Sequence, residues 1–144
     1  MFLLLKTSYK KIMKIDILMK QYVNAIIERA SLDDEDYIKI NKYVELEAQC
    51  VCQIKQIPGW TDIFCTLLEH EHVAVRIDTA MILLPYKTKK AKWELWKCRL
   101  LDSGIYSFEA GIILQEWQSG ELKFPEFNKN GKVVYKSRDE LNKN

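Results

Sequence analysis

Glycine and proline are scarce in this chain of 144 residues, with five and three respectively, which argues against a collagen-like, turn-rich or disordered polypeptide. The glycines also stand apart from one another, so no glycine-rich loop is available to cradle a phosphate. Histidine is rarer still: His70 and His72 are the only two, and both fall in one short stretch. No apolar run approaches the roughly 18 residues that a membrane span needs. Phe2-Leu3-Leu4-Leu5 is cut short by Lys6, and no small-residue cleavage site follows it. The expectation is a cytoplasmic protein with no membrane contact. Among the four cysteines, Cys50 and Cys52 fall on different sides of a helix while Cys65 and Cys98 stand alone, so reduced, buried thiols are expected.

What the chain does have is apolar and charged residues, 48% and 29%, in the proportions of a globular protein rich in helix formers. At this length folding buries roughly two thirds of the surface of the unfolded chain, enough for one core without staples. Net charge is only +2, far from the basic excess of a domain devoted to nucleic acid. Its distribution says more. Residues 1–30 carry six basic and two acidic side chains, 31–86 four and ten, 87–104 six and two, 105–122 none and three, and 123–144 six and three. The sign alternates by block, which gives either opposed charged faces or a mixed solvated surface.

Apolar positions recurring at three and four predict a first helix over Ile15–Ala30. Met13 can serve as an alternative start, leaving 1–12 as an extension. Ser31 with Asp34 has the spacing of a capping box, and Asp33-Asp34-Glu35-Asp36 suits the positive end of a second helix. That helix carries Tyr37, Ile40, Val44, Ala48 and Val51 on one stripe and Tyr43, Leu46, Cys50 and Ile57 on another, until Ile57-Pro58-Gly59 ends it. Thr61 is the expected cap of a short third helix with Ile63, Phe64, Leu67 and Leu68. A polar link, Glu69 to His72, leads to a fourth helix with Val73, Ile77, Ala80, Met81 and Leu84. The fifth runs from about Thr88 to Asp102, where Asp102-Ser103-Gly104 stops it. Ser107 is the expected cap of the sixth, which carries Ala110, Ile113, Leu114 and Trp117 and ends at Gly120. Six helices on short links pair most simply as three antiparallel hairpins, in a helical domain over 13–122. The remaining 123–144, with Asn130-Gly131 between two extended runs, reads as a small hairpin or a docked tail.

The segment Leu67-Leu68-Glu69-His70-Glu71-His72-Val73-Ala74-Val75-Arg76-Ile77-Asp78-Thr79-Ala80 resembles the centre of a HEAT-like repeat, in which Leu67, Leu68, His70, Val75, Arg76 and Ala80 are structural. Asn41-Lys42-Tyr43 with Leu46, Ala91 with Leu95, and Ala110-Gly111 followed by Leu114, Trp117 and Gly120-Glu121-Leu122 extend the likeness over roughly 37–125. On these residues the chain resembles the bacterial domain of unknown function family two thousand and nineteen. The resemblance implies an all-α fold of about six helices in a HEAT-like or ARM-type right-handed superhelical array, with no established chemistry. Where that family often has Pro and Asn in the link, this chain has Glu71, His72 and Val73, so a weaker cap on the fourth helix is expected. Proteins of this size and fold also serve as immunity partners of secreted bacterial toxins, which is an analogy of fold alone.

Several constellations carry two readings. His70, His72 and Cys65 have the donor types of a zinc site, but two histidines two apart point in different directions and no fourth ligand is near, so neither a metal nor any other cofactor is expected. Cys65 with His70 lacks the third group that orients a catalytic base, and no enzyme activity is expected. Arg76, beside Asp78, either bridges helices or is available to a ligand. Gly111 inside a helix marks a close helix crossing. In the fifth helix Lys89, Lys90, Lys92 and Lys97 surround Trp93 and Trp96, a pattern that serves an acidic protein partner or nucleic acid, or else is the solvated rim of a buried Trp. Asp33, Asp34, Glu35, Asp36 and Glu45 offer the opposite sign to a basic partner, such as a nuclease toxin domain.

Overall fold

Ile15, Leu18, Tyr22, Ala25 and Ile26 repeat at spacings of three, four and one, and all are buried, as one stripe of an amphipathic helix must be. They belong to α1 (Phe2–Ala30) in a computed structural model that describes residues 2–101 and 104–143, with side chains from residue 14 onward. The structure is all-α with a short C-terminal hairpin, and the chain divides into two compact units, 1–60 and 61–144. Helix α1 runs back through most of the segment read as an extension; the side chains of Phe2–Leu5 lie outside the described residues, as do Asp102 and Ser103. Among the described residues no helix is long and apolar enough to cross a membrane.

In the first unit α1 packs on α2 (Tyr37–Ile54), and Arg29 reaches Glu47 at 3.3 Å across the pair. The capping box expected at Ser31 does not form. The Ser31 hydroxyl instead donates to the Glu28 carbonyl at 2.7 Å, closing α1, and a 3-10 turn over Asp34–Asp36 leads into α2 without a side-chain cap. The apolar stripes of α2 are also only half used. Its second half buries Ala48, Cys50, Val51, Cys52 and Ile54, whereas Tyr37, Val44 and Leu46 are exposed.

Helix α3 (Trp60–Phe64) starts on the last residue of the first unit, one residue before Thr61, so Thr61 is not its cap. The helix tightens at Cys65 into a 3-10 segment, Cys65–Glu69, leaving Leu67 and Leu68 half-buried. The link then fixes α4 (Val73–Leu83) through its own histidines: His70 Nδ1 accepts the His72 amide at 3.0 Å, and His72 Nδ1 accepts the Ala74 amide at 3.2 Å. His72 is therefore an effective N-cap, contrary to the weak cap expected, because an imidazole nitrogen takes the orphan donor that Ser or Asp would take. Helix α4 buries Ala74, Val75, Ile77, Thr79, Ala80, Ile82 and Leu83. It packs on the 3-10 segment, on α5 (Thr88–Arg99) and on α6 (Gly104–Ser119).

Helix α6 begins three residues before Ser107, whose hydroxyl donates to the Arg99 carbonyl and so ties the end of α5 to α6 instead of capping. Ala110 is fully buried there. Gly111 does not mark a tight crossing: a Cβ built on it would meet only the Arg99 side chain, at 3.8 Å. Replacing it with Ala removes backbone entropy from the unfolded chain at no steric cost, so Gly111→Ala should raise the urea midpoint, stabilising by about 0.5–1 kcal/mol.

Gly120, at φ +82°, turns the chain out of α6, and β1 (Lys123–Phe127) pairs antiparallel with β2 (Val133–Ser137). Asn128 Oδ1 accepts the amides of Asn130 and Lys132, both at 2.9 Å, and organises the connecting loop. The hairpin is docked: Phe124 is buried edge-on to Trp117, and Arg138 of α7 (Arg138–Leu141) lies over the Trp117 ring while donating to its carbonyl at 2.7 Å.

Candidate interaction surface

Successive residues of α5 rotate by about 100°, which sorts its twelve residues into faces. Ala91, Glu94, Leu95 and Cys98 point inward and are buried. Diametrically opposite run Lys89, Trp93, Trp96 and, just past the helix, Leu100. Lys92 and Arg99 flank this ridge on one side and Lys90 and Lys97 on the other. Both tryptophans are exposed, Trp93 by 64% and Trp96 by 52%, so neither is the buried residue that the solvated-rim reading requires.

The charge of the ridge is set from beneath. Glu94 is the only acidic residue of α5, and it faces inward, where Arg76 Nε binds it at 3.1 Å and Lys97 Nζ at 2.7 Å. Arg76 also donates through Nη1 to the carbonyls of His70 at 2.7 Å and Glu71 at 3.1 Å. One guanidinium thus ties the link, α4 and α5 together, which places Arg76 in the structural role; its acidic partner is Glu94, which the sequence did not single out. Lys87 pairs with Asp62 at 3.4 Å, whereas Lys89, Lys90 and Lys92 make no ion pair among the described residues. Three lysines within the first turns of a helix oppose its dipole, a local conflict of the kind found where a surface is used.

The corner after α5 extends the apolar surface. Leu100 and Leu101 are exposed, as are Ile105, Phe108 and Ile112 of α6. The spacing of Ala110, Ile113, Leu114 and Trp117 marks one apolar face of α6 and leaves these last three residues out of it. The helix has two: Ile113, Leu114 and Trp117 are half-buried, and Ile105, Phe108 and Ile112 recur at three and four on the outside. The signal was legible as a second stripe.

A cavity of about 380 Å³ lies beside the Arg76–Glu94 pair, with Leu68, Lys97 and Cys98 in its wall. Burial, and then the Glu94 charge, push the Cys98 thiol above its ordinary value; burial and then Glu47 do the same for Cys50. A thiol held protonated is a poor nucleophile, so iodoacetamide should modify half-buried Cys65 well before Cys50 or Cys98, as peptide mapping would show. The sign for stability follows. Both thiols ionise later in the folded than in the unfolded chain, so their contribution is intact below about pH 8.5 and is lost as pH rises above that range.

The other sequence candidates lie elsewhere. Asp33, Asp34 and Glu35 are exposed and Asp36 half-buried in the turn before α2, and Glu45 is exposed on α2; all five belong to the first unit, and the ridge belongs to the second. Val75 and Ala80 are core residues, and His70 is half-buried with its Nδ1 engaged by backbone. Among the described residues no three His, Cys, Asp or Glu side chains gather as a metal group. No family model matches this chain, and comparison with curated proteins and with solved structures finds no match.

Proposed function

We propose that this chain is a non-enzymatic, HEAT-like protein-binding module that holds its partner on the outer ridge of α5 and the adjoining start of α6. The observation that carries this is the exposure of Trp93 and Trp96 on a helix whose opposite face is fully occupied by the core. Large apolar side chains left in water cost folding energy that burial against a partner recovers, and Trp is among the residues that most often dominate an interface. The cationic flanks add specificity and speed of encounter. Narrowed further, on the family resemblance and the fold analogy, the reading is a bacterial immunity protein that neutralises a toxin domain in the cytoplasm. The test is capture from the native host: tagged wild type should retain a toxin domain encoded beside its own gene, and the Trp93→Ala/Trp96→Ala variant should lose it. A solitary gene with nothing captured would sink the reading.

A second reading has an observation of its own, since exposed tryptophans interleaved with Lys89, Lys90 and Lys92 can stack on bases and contact phosphates. Retention on immobilised single-stranded DNA or RNA at low salt, released steeply as salt rises, would support it. Absence of any retention at low salt would end it.

A further inference from the structure

Two outward faces of this chain complement each other. On α2, Tyr37 and Val44 stand seven residues apart on one exposed stripe, and Ile38 and Glu45, also seven apart, form the stripe beside it; Asp33, Asp34 and Glu35 precede them. On α5, Trp93 and Leu100 stand seven apart with Trp96 between, and Lys89 and Lys92 lie on and beside the ridge. Seven residues of helix measure about 10 Å, so the apolar rows match in length. The charged surrounds are opposite in net sign, since five carboxylates outnumber the exposed Lys39 and Lys42 around the α2 face, and no ion pair among the described residues already occupies Asp33, Asp34, Glu35 and Glu45 or Lys89 and Lys92.

We propose that the α2 face of one copy docks on the α5 ridge of a second copy. Ridge against ridge would bring lysines together, and α2 against α2 would bring carboxylates together, so like-on-like contacts are disfavoured and the unlike α2-on-α5 contact is favoured. Two copies can close such contacts reciprocally, each giving its α2 face to the other's ridge, or the contacts run on into a ring or an open chain. This goes beyond the partner reading above, and it makes a foreign partner a competitor of the second copy for the ridge.

Sedimentation velocity on the full chain, from micromolar to submillimolar concentration, tests it. Wild type should associate into a dimer or a larger assembly as concentration rises. Tyr37→Ser/Ile38→Ser and Trp93→Ser/Trp96→Ser should each weaken association on the order of tenfold or more, and an equimolar mixture of the two should form a dimer and stop, because only one live contact remains. Lys89→Glu/Lys92→Glu should likewise dissociate the assembly, and adding Asp34→Lys/Glu35→Lys to the same chain should restore it. Circular dichroism checks that each variant, substituted only at exposed positions, keeps its helices. A wild type that stays monomeric would overturn the proposal, as would folded variants that associate like wild type or a mixture that grows beyond two. Capture of a foreign partner is read separately, so either idea can fail without the other.

Discussion

Arg76→Ala should destabilise the second unit by about 2–4 kcal/mol, the largest loss expected from removing one polar side chain. The Arg76 side chain is 21% exposed and that of Glu94 only 7%, so truncation strands a buried carboxylate and frees the carbonyls of His70 and Glu71 at the same stroke. Lys97 still reaches Glu94, which keeps the effect below that of a fully orphaned charge. Arg76→Lys retains the charge but not the fork that spans a carboxylate and two carbonyls, so it should cost about 1.5 kcal/mol, the worth of one hydrogen bond to a charged group. Glu94→Ala combined with Arg76→Ala should cost less than the sum of the two, by roughly 1–3 kcal/mol, since each removes the other's partner. Urea denaturation of wild type and the four variants gives all of these values, and equal midpoints for wild type and Arg76→Ala would remove the structural role assigned here.

Within α5 itself the two faces should respond oppositely to truncation. Leu95 is fully buried, and Leu95→Ala forfeits its burial and leaves a void, a loss of about 2–5 kcal/mol. Trp93→Ala and Trp96→Ala remove far larger side chains, yet each should change stability by only about 0.5 kcal/mol, because water already covers most of both. The contrast is diagnostic, since a buried Trp truncated in the same way costs about 3–5 kcal/mol. Thermal unfolding of the three variants decides it: a loss at Trp93 or Trp96 comparable to that at Leu95 would return these tryptophans to the core.

The sequence was most legible where one physical rule acted alone. Apolar spacing found α1, α4 and the existence of six main helices, and the sign of charge by block separated the acidic turn from the basic helix. It was least legible where two groups compete for one backbone position. Ser31 and Ser107 both look like N-caps, but each hydroxyl is taken by a carbonyl at a preceding helix end. Without the Pro and Asn of the related link a weak cap is expected on α4, yet the Nδ1 of His72 is an adequate acceptor. Partnership across helices was hidden as well: nothing in the spacing of Arg76 and Glu94, eighteen residues apart, announces that they meet. The face of a tryptophan was the hardest matter. Trp93 and Trp96 sit at positions whose orientation depends on whether Ala91, Leu95 and Cys98 or the tryptophans themselves define the core side. Only the packing of α4 and α6 against α5 resolves it.

The central claim is that the outer ridge of α5 is what a partner touches. Its most direct test is the affinity of the captured partner for wild type and for Trp93→Ala/Trp96→Ala, measured by titration calorimetry at matched salt after both proteins have been shown to unfold at the same temperature. The account predicts a loss of at least about 2 kcal/mol, roughly thirtyfold in Kd. Unchanged affinity in a fully folded variant would contradict it and move the contact off this helix.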